Sequence, residues 1–262
     1  MEKNKIIAKK INLKNQVERE TYSKKLQNFE KEFTYPLGNE SFYINHGLEK
    51  DYFVFFEKLG KPNIMVLENN NEIIGLCCAI LRNINGKNIW YICDFKIKKE
   101  FRGKKLYKKL MWKYFLSSYL KCQEAFAINM SSTVNNKLFF HTKKIFKIFN
   151  FKITEKYLHS FEGKFLKEFS KSFWENYVIV SNNGEKDIVI NGESQKLFHI
   201  VEKNYYKNNL RKYEKININK INENDKVMLL TSKSMHLSFA EETVISLFSK
   251  TKSLINISSA EI

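Results

Sequence analysis

Between residues 94 and 115 the chain sets an acidic residue, a basic turn and a lysine-faced helix in close succession. The run is Asp94-Phe-Lys-Ile97-Lys-Lys-Glu-Phe-Arg102-Gly103-Lys104-Lys105-Leu106-Tyr107. From Tyr107 the apolar residues recur at Leu110, Met111, Tyr114 and Phe115, the spacing of one buried helical face. Lys104, Lys105, Lys108, Lys109 and Lys113 fill the other side. A strand that passes through a tight basic turn into a helix leaves backbone N–H groups unpaired and pointing outward. With the positive end of the helix dipole behind them, such groups suit a phosphate or pyrophosphate.

These residues need a scaffold, and the preceding pattern supplies one. Residues 5–13 can form a strand, and residues 15–33 suit an amphipathic helix with Val17, Tyr22, Leu26, Phe29 and Phe33 on one side. Tyr35-Pro-Leu-Gly38 stops it. Glu49–Leu59 reads as a short aromatic helix ended by Gly60 and Pro62. Strands follow at Asn63–Glu68, Glu72–Arg82 and Asn88–Ile97, separated by asparagine-rich turns. The helix at about Gly103–Leu120 leads to a strand at Glu124–Met130, a helix at Asn135–Phe149 and a strand at Phe151–Phe161. Beyond residue 162 the pattern gives strands at Tyr177–Ser181, Asp187–Asn191 and Lys226–Thr231. Helices are expected near Glu168–Trp174, Glu193–Leu210 and Leu237–Ser249.

Composition narrows the function classes. The 262 residues carry a formal charge of +17, which attracts anions, but the lysines are dispersed and no arginine-rich block stands out. That is a weak footprint for nucleic acid. Hydrophobic residues make up 43%, with 22 Phe and 13 Tyr, enough for a packed core. Cys77, Cys78, Cys93 and Cys122 lack metal-ligand spacing and read as reduced thiols, which suits a cytoplasmic setting. The N-terminal MEKNKIIAKKI has no long apolar segment, and the apolar run around Ile73–Leu81 is far below the ~20 residues of a membrane span. No membrane association and no metal are expected.

The run Asp94–Tyr107 resembles the acetyl-CoA-binding segment of the GCN5-related N-acetyltransferases (GNATs), in which a strand leads into Arg/Gln-x-x-Gly-x-Gly/Ala at the start of a helix. Arg102 and Gly103 fit; Lys105 stands where the family has glycine, and Tyr107 where it has glycine or alanine. The order β-α-α-β-β-β-α-β-α-β over residues 5–161 is also similar to that family. So is Phe139–Phe151, where Thr142, Ile145-Phe146 and Asn150-Phe151 align with its small residue, Leu-Tyr and Gly-Phe positions. The resemblance implies an α/β (α+β) fold with a central, mostly antiparallel sheet. It divides the chain into a cofactor-binding domain at 1–161 and a C-terminal α+β extension at 162–262 that lacks a second anion loop.

By the same resemblance the protein is an N-acetyltransferase that takes acetyl-CoA as co-substrate and a primary amine as acceptor. The backbone of Phe95 and Ile97 would pair with the pantetheine arm. The amides of Arg102, Gly103, Lys104, Lys105, Leu106 and Tyr107 would hold the pyrophosphate, and Asn129 and Asn135 would contact pantetheine. Asp94, where the family often has a glutamate, would take the amine proton. Phe146 replaces the tyrosine that commonly protonates the leaving thiolate, so the acid is unassigned. The alternative is a GNAT-fold protein that binds a CoA ester or another anion without efficient transfer. Neither acceptor identity nor oligomeric state follows from the sequence.

Overall fold

The structure is a computed structural model that describes residues 6–37, 40–47, 51–84, 86–110, 118, 120–130, 143, 147, 150–252 and 255–262. Strand β1 (Ile7–Lys10) leads into helix α1 (Gln16–Glu30). The Asn15 side chain caps α1 by accepting from the Glu18 N–H at 3.1 Å, and Tyr22, Leu26 and Phe29 line its buried face. Two strands follow that the sequence pattern does not reveal, β2 (Tyr35–Leu37) and β3 (Glu40–His46). Proline at Pro36 is compatible with a strand at the edge of its sheet. Helix α2 (Val54–Leu59) buries Phe55, Phe56 and Leu59.

The long strands β4 (Lys61–Asn69) and β5 (Glu72–Ile84) form a hairpin through Asn70 and Asn71, whose φ values of 50° and 66° are what a two-residue hairpin turn requires. Strand β6 (Lys87–Ile97) runs into the basic turn, after which residues 107–110 and Ser118 are helical. Strands β7 (Ala125–Asn129) and β8 (Lys152–Glu162) close the first half. Of the helix expected at Asn135–Phe149, Lys143 and Lys147 are helical and the rest lies outside the described residues.

The second half contributes α3 (Lys171–Asn176), β9 (Tyr177–Ser181), β10 (Lys186–Ile190), β11 (Glu193–Gln195), β12 (Leu197–Glu202), α4 (Lys203–Asn209), β13 (Glu214–Ile216), β14 (Lys226–Thr231) and β15 (Glu241–Lys250). Two helical expectations fail here. Residues 193–202 are strands, and only 203–209 are helical; the Leu237–Ser249 helix is strand β15. In β15 the four consecutive residues Ile245–Phe248 are all buried, because the strand lies inside a sheet with no open face. It therefore lacks the alternation that marks a half-buried strand.

Eleven strands form one sheet in the order β1-β4-β5-β6-β7-β15-β8-β14-β12-β9-β13. All neighbours are antiparallel except β6/β7 and β12/β14. The mixed, mostly antiparallel sheet flanked by few helices is the fold the sequence implies. β8 is bordered on both sides by strands from residues beyond 162, β15 and β14. A second sheet, β11-β10-β3-β2, packs Phe42, Ile44, Ile188 and Ile190 against Leu158, Met228 and Ile245 of the large one. Helices α1 and α2 pack against one side of β4–β6, and Leu106 and Leu110 against Met65, Leu67, Ile74 and Trp90. Among the described residues no helix is long and apolar enough to cross a membrane.

Candidate functional site

The site begins where two parallel strands separate. β6 and β7 are paired only from Trp90 to Ile92 against Ala125 to Ala127, and β6 then continues to Ile97. On its other side β6 stays paired with β5, but the register slips between Leu76 and Cys78. The extra residue on β6 is a bulge, and Asp94 within it has φ 45°. Bulges re-aim the side chains they carry. Past the bulge, the Lys98 N–H donates to the Ile74 carbonyl at 2.9 Å, so by the two-residue alternation Phe95 and Ile97 turn their backbone groups away from β5. The Ile97 carbonyl is met at 2.9 Å by Arg102 Nε, which folds the turn back on the strand.

The turn itself offers donors. The amides of Phe101 and Arg102 are satisfied by Lys98 and Lys99, and those of Lys108 and Lys109 by Lys105 and Leu106. Between them, Gly103, Lys104, Lys105, Leu106 and Tyr107 have no backbone acceptor among the described residues. Gly103 has φ 78° and Lys105 φ 56°; left-handed residues in such a run gather successive N–H groups into a concave anion seat. A glycine is natural at 103. At 105 the backbone adopts a left-handed conformation that favours glycine, with a lysine in place. Among the described residues nothing lies within 4 Å of where a Gly103 side chain would begin, so they leave the seat open on that side. Asn150 has φ 58°, the left-handed conformation that lets asparagine stand for glycine there.

Next to the bulge lies a buried ionic network that the sequence does not announce. Lys96 Nζ is 2.5 Å from Glu30 Oε1 and 3.2 Å from Asp94 Oδ1. Glu30 also meets His46 Nδ1 at 2.6 Å and accepts from the Tyr52 hydroxyl at 3.1 Å. Burial alone would push the Glu30 carboxyl up, but His46 and Lys96 outweigh it and hold the pKa at about 2. Burial pushes the Tyr35 phenol, beside Lys96, up to about 12. Across the second sheet, Lys186 of β10 pairs in register with His46 of β3. Burial pushes its ammonium down to about 8, opposed by the fields of Asp94 and Glu30. His46 Nε2 is buried and has no hydrogen-bond partner among the described residues.

Glu30, His46 and Asp94 bring potential metal-ligating atoms within 4.8 Å of one another. The donor set does not suit a metal, because the Lys96 ammonium already contacts both carboxylates and takes the position of a cation. The cysteines offer no alternative: all four are free, with Cys78 and Cys93 opposite one another across β5 and β6.

Asp94, Phe95, Ile97 and Arg102–Tyr107 thus line one continuous path from the bulge through the turn. Asn129 ends β7, beyond its last residue paired to β6. Asn135 and Phe146 lie outside the described residues. Glu30, His46, Lys96 and Lys186 are the functional candidates that sequence reasoning missed. They come from α1, β3, β6 and β10, and no local spacing joins them.

Residues 26–136 match the acetyltransferase (GNAT) family, a span that includes the Arg102-Gly103 turn from which the resemblance is read. No curated protein matches the sequence. A tandem GNAT protein from the clavulanic acid biosynthesis pathway has 6% identity and a TM-score of 0.51, covering 96% of this chain and 100% of its own; the likeness is one of fold. Arabidopsis thaliana Naa50, solved with the bisubstrate analogue CoA-Ac-MVNAL, has 20% identity and a TM-score of 0.28 over 36% of this chain and 59% of its own. A GCN5-related glucosamine N-acetyltransferase region of a fungal multi-domain β-N-acetylglucosaminidase has 8% identity and a TM-score of 0.48 over 95% of this chain and 38% of its own. The chain therefore spans less than two thirds of the length of each of the latter two.

Proposed function

We propose that this chain, whose residues 26–136 match the GNAT family, transfers an acetyl group from acetyl-CoA to a primary amine. The observation that carries the reading is the run of five amides at Gly103–Tyr107 without a backbone acceptor among the described residues, reached directly from a strand whose outer edge past Ile92 is unpaired among them, beside a bulged carboxylate. These residues fit the co-substrate. The amides of Gly103–Tyr107 would hold the pyrophosphate, with Lys104 and Lys105 adding charge; that of Arg102, expected among them, already donates to the Lys99 carbonyl. Phe95 and the Ile97 N–H would pair with the pantetheine arm, and Asn129 would contact it from β7. Acetyl-CoA supplies the activated thioester; the protein supplies position, charge and a proton acceptor.

In this reading Asp94, carried on the bulge of β6 beside Lys96, takes the proton of the attacking amine. Lys96, itself held by Glu30, fixes that carboxylate in place. In the same reading residues 162–262 complete the sheet through β15 and β14. The free thiols support a cytoplasmic setting.

One observation favours a second reading, a protein that binds a CoA ester without efficient transfer: Asp94 is already ion-paired with Lys96. Calorimetric titration of acetyl-CoA, followed by measurement of free thiol released in the presence of amines, separates the two. Stoichiometric binding with amine-dependent thiol release supports transfer. Binding without release leaves the second reading, and absence of binding removes both.

A further inference from the structure

Two of the four free cysteines face each other directly. Cys78 of β5 and Cys93 of β6 are partners in the antiparallel register, and both side chains lie on the α1–α2 side of the sheet. Cys77 packs on the opposite side, among Met65, Leu67 and Trp90, and Cys122 stands apart with its thiol 2.8 Å from the Asn88 carbonyl. Burial, reinforced by the Cys93 thiol beside it, pushes the Cys78 thiol well above its ordinary value. Cys78 is 1% exposed, whereas Cys93 is only half-buried and is the more accessible of the two. The Trp90 N–H donates to the Glu124 carbonyl just ahead of β7, so by alternation Tyr91 and Cys93 turn their backbone groups toward β5. Cys78 and Cys93 are therefore a hydrogen-bonded pair of the ladder.

Such a pair sets its Cα atoms about 5.5 Å apart, within the span that a disulfide bridges. Its Cβ atoms lie about 4.5–5.5 Å apart, however, where a disulfide needs about 3.8 Å. Joining the sulfurs draws the two strands together, and a bond made under that strain is readily reduced again. The backbone beside the pair is where the strain is relieved: the next residue of β6 is Asp94, and there the bulge interrupts the ladder. Movement at the bulge acts on the 3.2 Å contact of Asp94 with Lys96. We propose that Cys78 and Cys93 are a reversible oxidation site, closed by hydrogen peroxide and opened by a thiol reductant, whose disulfide displaces the Asp94 bulge and lowers turnover. In the first step the Cys93 sulfur takes one oxygen as the O–O bond breaks, giving a sulfenic acid and water. The Cys78 sulfur then attacks the sulfenic sulfur, the S–S bond forms and a second water leaves. Two thiols are oxidised for one peroxide reduced. Dithiothreitol reverses the bond by two exchange steps and leaves as its own cyclic disulfide. The effect on turnover rests on the acetyltransferase reading, and the disulfide does not.

The test treats the folded, purified protein with hydrogen peroxide, removes the excess with catalase and counts thiols in denaturant. The count should fall from four to two and return to four with dithiothreitol, and peptide mapping without reductant should find Cys78 joined to Cys93. Cys77→Ala should still lose two thiols, which separates Cys78 from its neighbour, whereas Cys93→Ala should lose none. Acetyl transfer by the wild type should fall at least about tenfold on oxidation and recover on reduction, the scale of a misplaced proton acceptor, while Cys93→Ala keeps its rate through the same treatment. The wild-type count and its reversal decide the matter if a variant does not fold. Four thiols after peroxide, a loss that dithiothreitol does not restore, or a bridge through Cys77 or Cys122 overturns the site. A Cys78–Cys93 bridge with unchanged turnover overturns its coupling to the bulge. Reduced protein that binds acetyl-CoA and turns over no amine overturns the acetyltransferase reading, and the thiol count still decides the disulfide.

Discussion

Replacing Glu30 by glutamine tests the buried network most directly. The substitution keeps size and shape but removes the charge from a carboxylate that is 1% exposed and contacts Lys96 at 2.5 Å and His46 at 2.6 Å. It also sets an amide N–H₂ where Lys96 and Tyr52 already donate. Breaking one partner of a buried ion pair costs about 3–5 kcal/mol. A second route gives the same scale: a carboxyl held at about 2 against an ordinary 4.5, at about 1.4 kcal/mol per tenfold change, contributes roughly 3 kcal/mol. Because the folded-state pKa is lowered, this stability is present above about pH 4.5 and is lost as the pH falls toward 2. Urea unfolding followed by tryptophan fluorescence at pH 6, 4 and 3 measures it. The gap between wild type and Glu30→Gln should be about 3 kcal/mol or more at pH 6 and should narrow steadily by pH 3. A gap under about 1 kcal/mol at pH 6, or one that does not change with pH, would show that Glu30 is not a charged keystone of the site.

Further outcomes are expected at the path itself. Asp94→Asn should lower kcat for acetyl transfer by about 10²- to 10⁴-fold with acetyl-CoA affinity unchanged; equal activity would remove Asp94 from the chemistry. Gly103→Glu should abolish calorimetric acetyl-CoA binding by setting a carboxylate against the pyrophosphate seat. The fold should survive, since the new side chain meets open space and the φ of 78° costs about 1–2 kcal/mol. Lys105→Gly should raise the melting temperature by about 2–4 °C by relieving a left-handed lysine, and no rise would mean that other contacts favour this conformation.

The turn at 102–107 was legible because its signals are local: an apolar strand, an isolated glycine and a helical repeat fall within twenty residues. The β4–β5 hairpin and α1 were legible for the same reason, through Asn70-Asn71 and the spacing of Tyr22, Leu26 and Phe29. The buried ionic network was not. Glu30 looks like part of a polar helix face, and His46 is one histidine in a short aromatic strand hidden behind Pro36. Lys186 opens a strand 140 residues further on, and only the pairing of β3 with β10 brings it beside His46. β15 was misread because a strand inside a wide sheet contacts protein on both faces, and its continuous apolar run matches a helix as well as a strand.

The order of strands also has a consequence for biosynthesis. β7 and β8 do not pair with each other; β15 lies between them and bonds both. About 80 residues separate the end of β8 from the start of β15, so at typical synthesis rates roughly 4–16 s pass before the missing strand is made. During that interval two apolar strand edges near the centre of the future sheet are unpaired, the condition under which nascent chains associate edge to edge. The turn that would bind the co-substrate is complete early, but the sheet supporting it becomes continuous only when β15 arrives. A nascent chain stalled before residue 241 would expose both edges to chaperones and to other copies of itself.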